Sequence, residues 1–179
     1  MRTGIFIDGS NFHETIKTLG IPVDYARIRD LFPEVHSAMY FTALLPKEIH
    51  SGLRPLVDWL QDHGWQVIHK EAKRYVDDSG REKIKGNMDI ELALNVYDLV
   101  KEKAIEHVAL FTGDGDFRYL VERVQQLGAY VTVFSSDDMV SRDLKRQAQR
   151  YVDIDTLRSD IIRRDEPMVR RRITMGWSA

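Results

Sequence analysis

The stretch GIFIDGSNF, Gly4–Phe12, decides how the rest of the chain is read. Its apolar run has the continuity of a strand buried on both faces, and it stops on Asp8 before the turn-forming Gly9, Ser10 and Asn11. Aspartate is a common helix cap. A carboxylate placed directly after a buried run must nevertheless be hydrogen-bonded or bound to a metal.

Working outward, four more β-branched or aromatic runs follow: SAMYFTALL, WQVIH, HVALFT and AYVTVFS. They alternate with segments of helical period, the pattern of parallel strands joined by crossover helices. The expected fold is α/β, with a central, mostly parallel five-stranded sheet covered by helices. Leu53, Leu56, Val57 and Leu60 form one helical stripe, stopped by Gly64. Met88, Leu92, Val96 and Leu99 form a second, and Phe117, Leu120, Val121 and Val124 a third; these are core-facing stripes. Lys70 to Asn87, KEAKRYVDDSGREKIKGN, breaks the pattern and reads as a long loop or a protruding hairpin around DDSG. From Arg163 the chain carries five arginines against two acids, with a helix-stopping Pro167, and is expected to be poorly ordered unless it docks. The division is a domain over 1–160 and a basic tail over 161–179.

Composition narrows the function. At 179 residues and 43% hydrophobic, the chain has room for one sizeable core. It has no cysteine, which excludes disulfides, a thiol nucleophile and thiolate zinc. Its six histidines are scattered singly rather than paired as metal ligands. No apolar run approaches the ~20 residues of a membrane span, and there is no signal-peptide pattern, so a cytoplasmic protein is expected. A net charge of −2 argues against a globally basic coat protein and leaves local basic patches open.

In open parallel sheets, ligands sit beyond the carboxyl ends of the strands. Asp8 lies there, as do Asp114 and Asp116 of TGDGDF, where Gly113 and Gly115 permit a tight turn and close approach. Asp89 opens the helix after KGN. Four acids from three segments that share a rim repel one another without a cation, and carboxylates suit Mg²⁺ or Mn²⁺. The implied chemistry is phosphodiester hydrolysis by a metal-activated water. Taken singly, Asp116 also suits a helix cap and Asp89 a helix's first turn. Ser10 and Asn11 have side chains able to hold a carboxylate or a water, and Lys85 is a candidate for positioning phosphate. In SRDLKRQAQR, Arg142, Lys145, Arg146 and Arg150 fall near one helical face, a track for phosphates or simply a solvated face.

Together, FIDGSNF, KGNMDIELALNVYD and FTGDGDF resemble the three acidic motifs of the NYN domain family, the LabA-like branch of the PIN-like nucleases. The likeness continues through GAYVTVFSS and Ser141 and Leu144, covering roughly Arg2 to Asp155. It implies a Rossmann-like three-layer sandwich with strand order 3-2-1-4-5 and a Mg²⁺- or Mn²⁺-dependent ribonuclease site. Carried over, Asp8 is the first metal-binding acid, Asn11 its polar neighbour, Asp89 the second acid, and Asp114 and Asp116 the remaining pair. The expected partner is RNA, with single-stranded RNA one option, no membrane, and a homo-oligomer left open. One departure is visible: the family often has an Ala-Asp pair near the end of the last helix, where this chain has Ala148-Gln149.

Two other readings compete. GDGDF resembles the GDGxND segment of haloacid-dehalogenase-type phosphatases, but their Asp-x-Asp first motif is here Asp8-Gly9-Ser10, without the general acid. A catalytically silent RNA- or protein-binding module on the same fold is the other alternative. The tail arginines Arg170, Arg171 and Arg172 are further candidates for holding a polyanion.

Overall fold

A computed structural model describes residues 1–44, 52–76 and 82–163. Its main sheet is built on β1 (Thr3–Asp8), every residue of which is buried. β1 lies between two parallel partners, β2 (Val35–Leu44) and β6 (His107–Phe111). β3 (Gln66–Glu71) flanks β2, and β7 (Tyr130–Ser135) and β8 (Arg150–Asp153) continue beyond β6, giving the order β3-β2-β1-β6-β7-β8. The five expected strands therefore take the expected order.

β8 adds a sixth strand, which the sequence reading missed. Charged and amide residues surround RYVD, and four residues are too few to show a period, so the segment reads as the continuation of a helix. Helix α6 in fact stops at Gln147 (Arg142–Gln147), and Arg150 lies on β8, off the helical face expected to carry it. Lys70 and Glu71, read as loop, extend β3 alongside Ala43 and Leu44. The expected hairpin is present as β4 (Lys73–Val76) paired antiparallel with β5 (Glu82–Lys85). Its DDSG tip and the tail arginines lie outside the described residues.

Alternation along β1 sorts the two cores. Phe6 packs with Leu92, Val96, Val121 and Val124, from α4 (Asp89–Lys101) and α5 (Arg118–Gln126) on one face. Ile5 and Ile7 point to the opposite face, against Phe12 of α1 (Gly9–Leu19), Ile28 of α2 (Tyr25–Asp30) and Leu60 of α3 (Arg54–Asp62). The predicted stripes on α4 and α5 are thus core, with Val100 joining Leu92 and Val96 at helical spacing and Leu99 only partly buried. Because β1 and β6 are parallel and the covering helices run back against them, the amino ends of α1 and α4 lie at the edge where β1 and β6 end.

Candidate functional site

Asp8 ends β1 and caps α1, its side chain accepting from the Asn11 backbone amide at 3.3 Å. It also accepts from the Ser10 hydroxyl at 2.9 Å and, through its other oxygen, from the Thr112 hydroxyl at 3.1 Å. A carboxylate only 7% exposed is therefore stabilised by three donors. Thr112 is the link that sequence reasoning passed over: its hydroxyl also accepts from the Asp114 amide at 3.2 Å, joining the ends of β1 and β6. The only signal was its place between a buried run and Gly-Asp. Asn11 completes the clamp, its side-chain oxygen accepting from the Gly113 amide at 2.8 Å.

The turn after β6 needs both of its glycines, though for contact rather than for unusual dihedrals. A Cβ on Gly113 would lie 2.5 Å from the Met139 carbonyl oxygen and 2.6 Å from Ser135 Oγ, and one on Gly115 would lie 2.7 Å from Ser141 Oγ. The loop ahead of α6 presses on this turn, and the Ser141 amide donates to the Gly113 carbonyl at 2.8 Å. Asp114, not Asp116, is the cap: it accepts from the Asp116 amide at 3.0 Å and starts the 3-10 turn Gly115–Phe117 that leads into α5. Asp116 is left exposed in that first turn.

Asp89 opens α4. The Asn87 side chain donates to its carboxylate at 2.6 Å and accepts from its backbone amide at 2.7 Å. Asn87 is the second residue the motif reading left out, although it stands in the KGN that marks the helix start.

These elements bring one carboxylate oxygen each from Asp89, Asp114 and Asp116 to within 4.8 Å of one another. The Asp89 carboxyl pKa is pushed up, chiefly by desolvation, against the lowering hydrogen bond from Asn87; the charges of Asp8, Asp114 and Asp116 raise it further. Asp8 thus contributes to the same negative field, while its own oxygens are engaged by the clamp. Ser10, exposed at the start of α1, donates its hydroxyl to Asp8. All donors in the trio are hard oxygens, the chemistry that suits a small dication.

Among the basic candidates, α6 packs against the 3-10 turn that carries Asp116. Arg142 and Arg146 are exposed on it. Lys145 is engaged, 2.6 Å from Asp137 and 4.1 Å above the Tyr151 ring. Lys85 ends β5 with its backbone opposite Lys73. Gln149, where an auxiliary acid was considered, accepts from the Val131 amide and the Gln125 side chain, both at 2.8 Å. It therefore sits at the amino end of β7, away from the carboxylates.

A parallel α/β sandwich with an acidic cluster beyond the carboxyl ends of its central strands is the architecture of a PIN-like, nuclease-type domain. The NYN domain model matches residues 2–155, and the chain belongs to that family. It is 31% identical over 173 residues to the low amplitude and bright protein LabA of Synechococcus elongatus, covering 93% of this chain and 90% of that protein. Its fold matches the crystal structure of a protein of unknown function from Vibrio parahaemolyticus, with a TM-score of 0.73 and 25% identity over 90% of this chain and 96% of the other. Among the described residues, no helix is long and apolar enough to cross a membrane.

Proposed function

We propose that this protein is a divalent-metal-dependent ribonuclease in which Asp89, Asp114 and Asp116 hold Mg²⁺ or Mn²⁺ and Asp8 completes the negative rim. The observation that carries the reading is the approach of the three carboxylates, from two separate segments, to within 4.8 Å. Clustered like charges cost stability, and a hard dication relieves that cost. When bound, such an ion lowers the pKa of a water and neutralises charge on the scissile phosphate and leaving oxygen.

The chain's own residues supply the positioning. Asp8, Asn11 and Thr112 lock the β1 and β6 ends together, fixing Asp114 relative to α1. Asn87 holds the Asp89 carboxylate by a hydrogen bond. Outer hydrogen bonds of this kind orient metal-binding side chains and tune their affinity. An acidic rim repels a polyanion, so cations must lie nearby, and Arg142 and Arg146 beside the 3-10 turn are the best placed. Lys145 can contribute only by leaving Asp137.

The test is incubation of short RNA and DNA strands with Mn²⁺, Mg²⁺ or chelator, resolved on a gel beside Asp114→Asn. Asparagine caps about as well as aspartate, so that variant keeps its turn and loses only charge. RNA cleavage that needs the divalent ion and disappears in Asp114→Asn is the expected result. RNA binding without cleavage in any condition refutes the enzyme and favours the silent binding module. For the α6 cations, Arg142→Ala with Arg146→Ala should weaken binding and flatten its salt dependence.

A further inference from the structure

A groove of about 410 Å³ runs between α4 and α5. Ile90, Ala93, Leu94 and Tyr97 form one wall, Tyr119 and Leu120 the other. Asp89 and Asp116 lie at its rim where the two helices begin, and Arg123 lines it further along α5. α4 already buries Leu92, Val96 and Val100 against the sheet. The outer side of such a helix is ordinarily polar. Here Ile90 is 73% exposed and Leu94 57%, and across the groove Tyr119 is 65% exposed. These are three of the six large hydrophobic residues that the described surface exposes, gathered on one feature, and a gathered apolar patch marks a binding surface.

We infer that this groove seats unpaired bases of a single-stranded RNA whose adjoining phosphate lies at the Asp89–Asp114–Asp116 cluster, an inference that rests on the nuclease reading above. Continuity selects the occupant. The groove shares Asp89 and Asp116 with the cluster, so a strand held there by its phosphate delivers a neighbouring base to the apolar walls. The exposed ring of Tyr119 offers a face on which any base stacks, while Tyr97, half-buried beneath Lys101, forms part of the facing wall, and Arg123, donating to Gln126, lines the same groove. A duplex keeps its bases inside its own stack and has none to insert. A protein seated over the groove would instead have to strip water from Asp89 and Asp116, which is costly without added cations.

The test uses the full chain in Mn²⁺ with a fluorescent single-stranded RNA whose backbone linkages are non-cleavable, the same strand carrying abasic positions, and the matching duplex, with cleavage read separately on the natural strand. Tyr119→Ala and Leu94→Ala change exposed side chains, so folding is retained. Tyr119→Ala should weaken binding of the intact strand about ten-fold, the loss expected for one base stack, Leu94→Ala should weaken it less, and both should leave the abasic strand and calorimetric Mn²⁺ affinity unchanged. The duplex should bind more weakly than the intact strand to the wild type and equally to the variants. Mn²⁺ binding and metal-dependent cleavage with intact-strand affinity unaltered by Tyr119→Ala overturns the groove alone. Loss of a concentration-dependent dimer in Leu94→Ala, seen by sedimentation without RNA, also overturns it and assigns the groove to a second copy of the chain. Absence of both Mn²⁺ binding and cleavage in the wild type overturns the reading on which the inference rests.

Discussion

Replacing Asp116 by Asn should make the metal-free protein more stable while removing most of its response to metal. Asp116 is exposed, and its carboxylate lies within 4.8 Å of oxygens from both Asp89 and Asp114. Two unit charges at that separation repel by about 1 kcal/mol at the dielectric of water and about 3.5 kcal/mol at an effective dielectric of 20. The exposed position favours the lower figure, so losing two such pairs contributes about 2 kcal/mol. Against this stands roughly 0.3–1 kcal/mol lost where a negative charge leaves a helix's first turn. The net gain of about 1 kcal/mol corresponds to a rise in Tm of about 2–4 °C for a chain of this length. The assay is thermal unfolding in chelator and in Mn²⁺. Wild type should gain about 2.7 kcal/mol at a hundred times the dissociation constant, and Asp116→Asn far less at the same concentration. A lower Tm for the variant in chelator, together with an unchanged Mn²⁺ response, would refute the argument that these carboxylates form a charged cluster built for a cation.

Asp8→Asn should behave in the opposite way, losing about 1–3 kcal/mol by urea denaturation, because one oxygen of a neutral amide replaces a carboxylate that accepts from Ser10, Asn11 and Thr112. On the proposed function, divalent-dependent RNA cleavage should also fall, and full cleavage with wild-type stability would count against both the clamp and the site. Because the Asp89 pKa is raised, its proton competes with metal at a higher pH than an ordinary aspartate's would; Mn²⁺ affinity measured by calorimetry should therefore drop as pH falls through that raised pKa. Without metal the sign is reversed: Asp89 contributes stability at acid pH that is lost as pH rises through its folded pKa, and Asp89→Asn should flatten that part of the stability profile. Gly113→Ala places a methyl against the Met139 carbonyl and should cost about 1–3 kcal/mol, with weaker Mn²⁺ binding as the turn carrying Asp114 shifts.

Hydrophobic patterning along the chain determined the fold class, because a continuous apolar strand and a helix with a 3.6-residue stripe each leave a local record. Ile5, Phe6 and Ile7, or Leu92 and Val96, announce their burial without reference to any distant residue. The acids were legible for a related reason: Asp8 and Asp114 end or follow such runs, and parallel topology sends every such end to one edge. β8 left no record, since a four-residue edge strand owes its conformation to pairing with β7 rather than to a pattern of its own. Tertiary structure alone decided how the acids divide their work. Asp8 is engaged by Thr112, 104 positions away, while Asp89, Asp114 and Asp116 approach one another, and no spacing in the sequence encodes which oxygen finds which donor. The same holds for the groove between α4 and α5. Ile90, Leu94 and Tyr119 are ordinary helix residues one at a time, and they become a surface only when two helices pack side by side over the sheet.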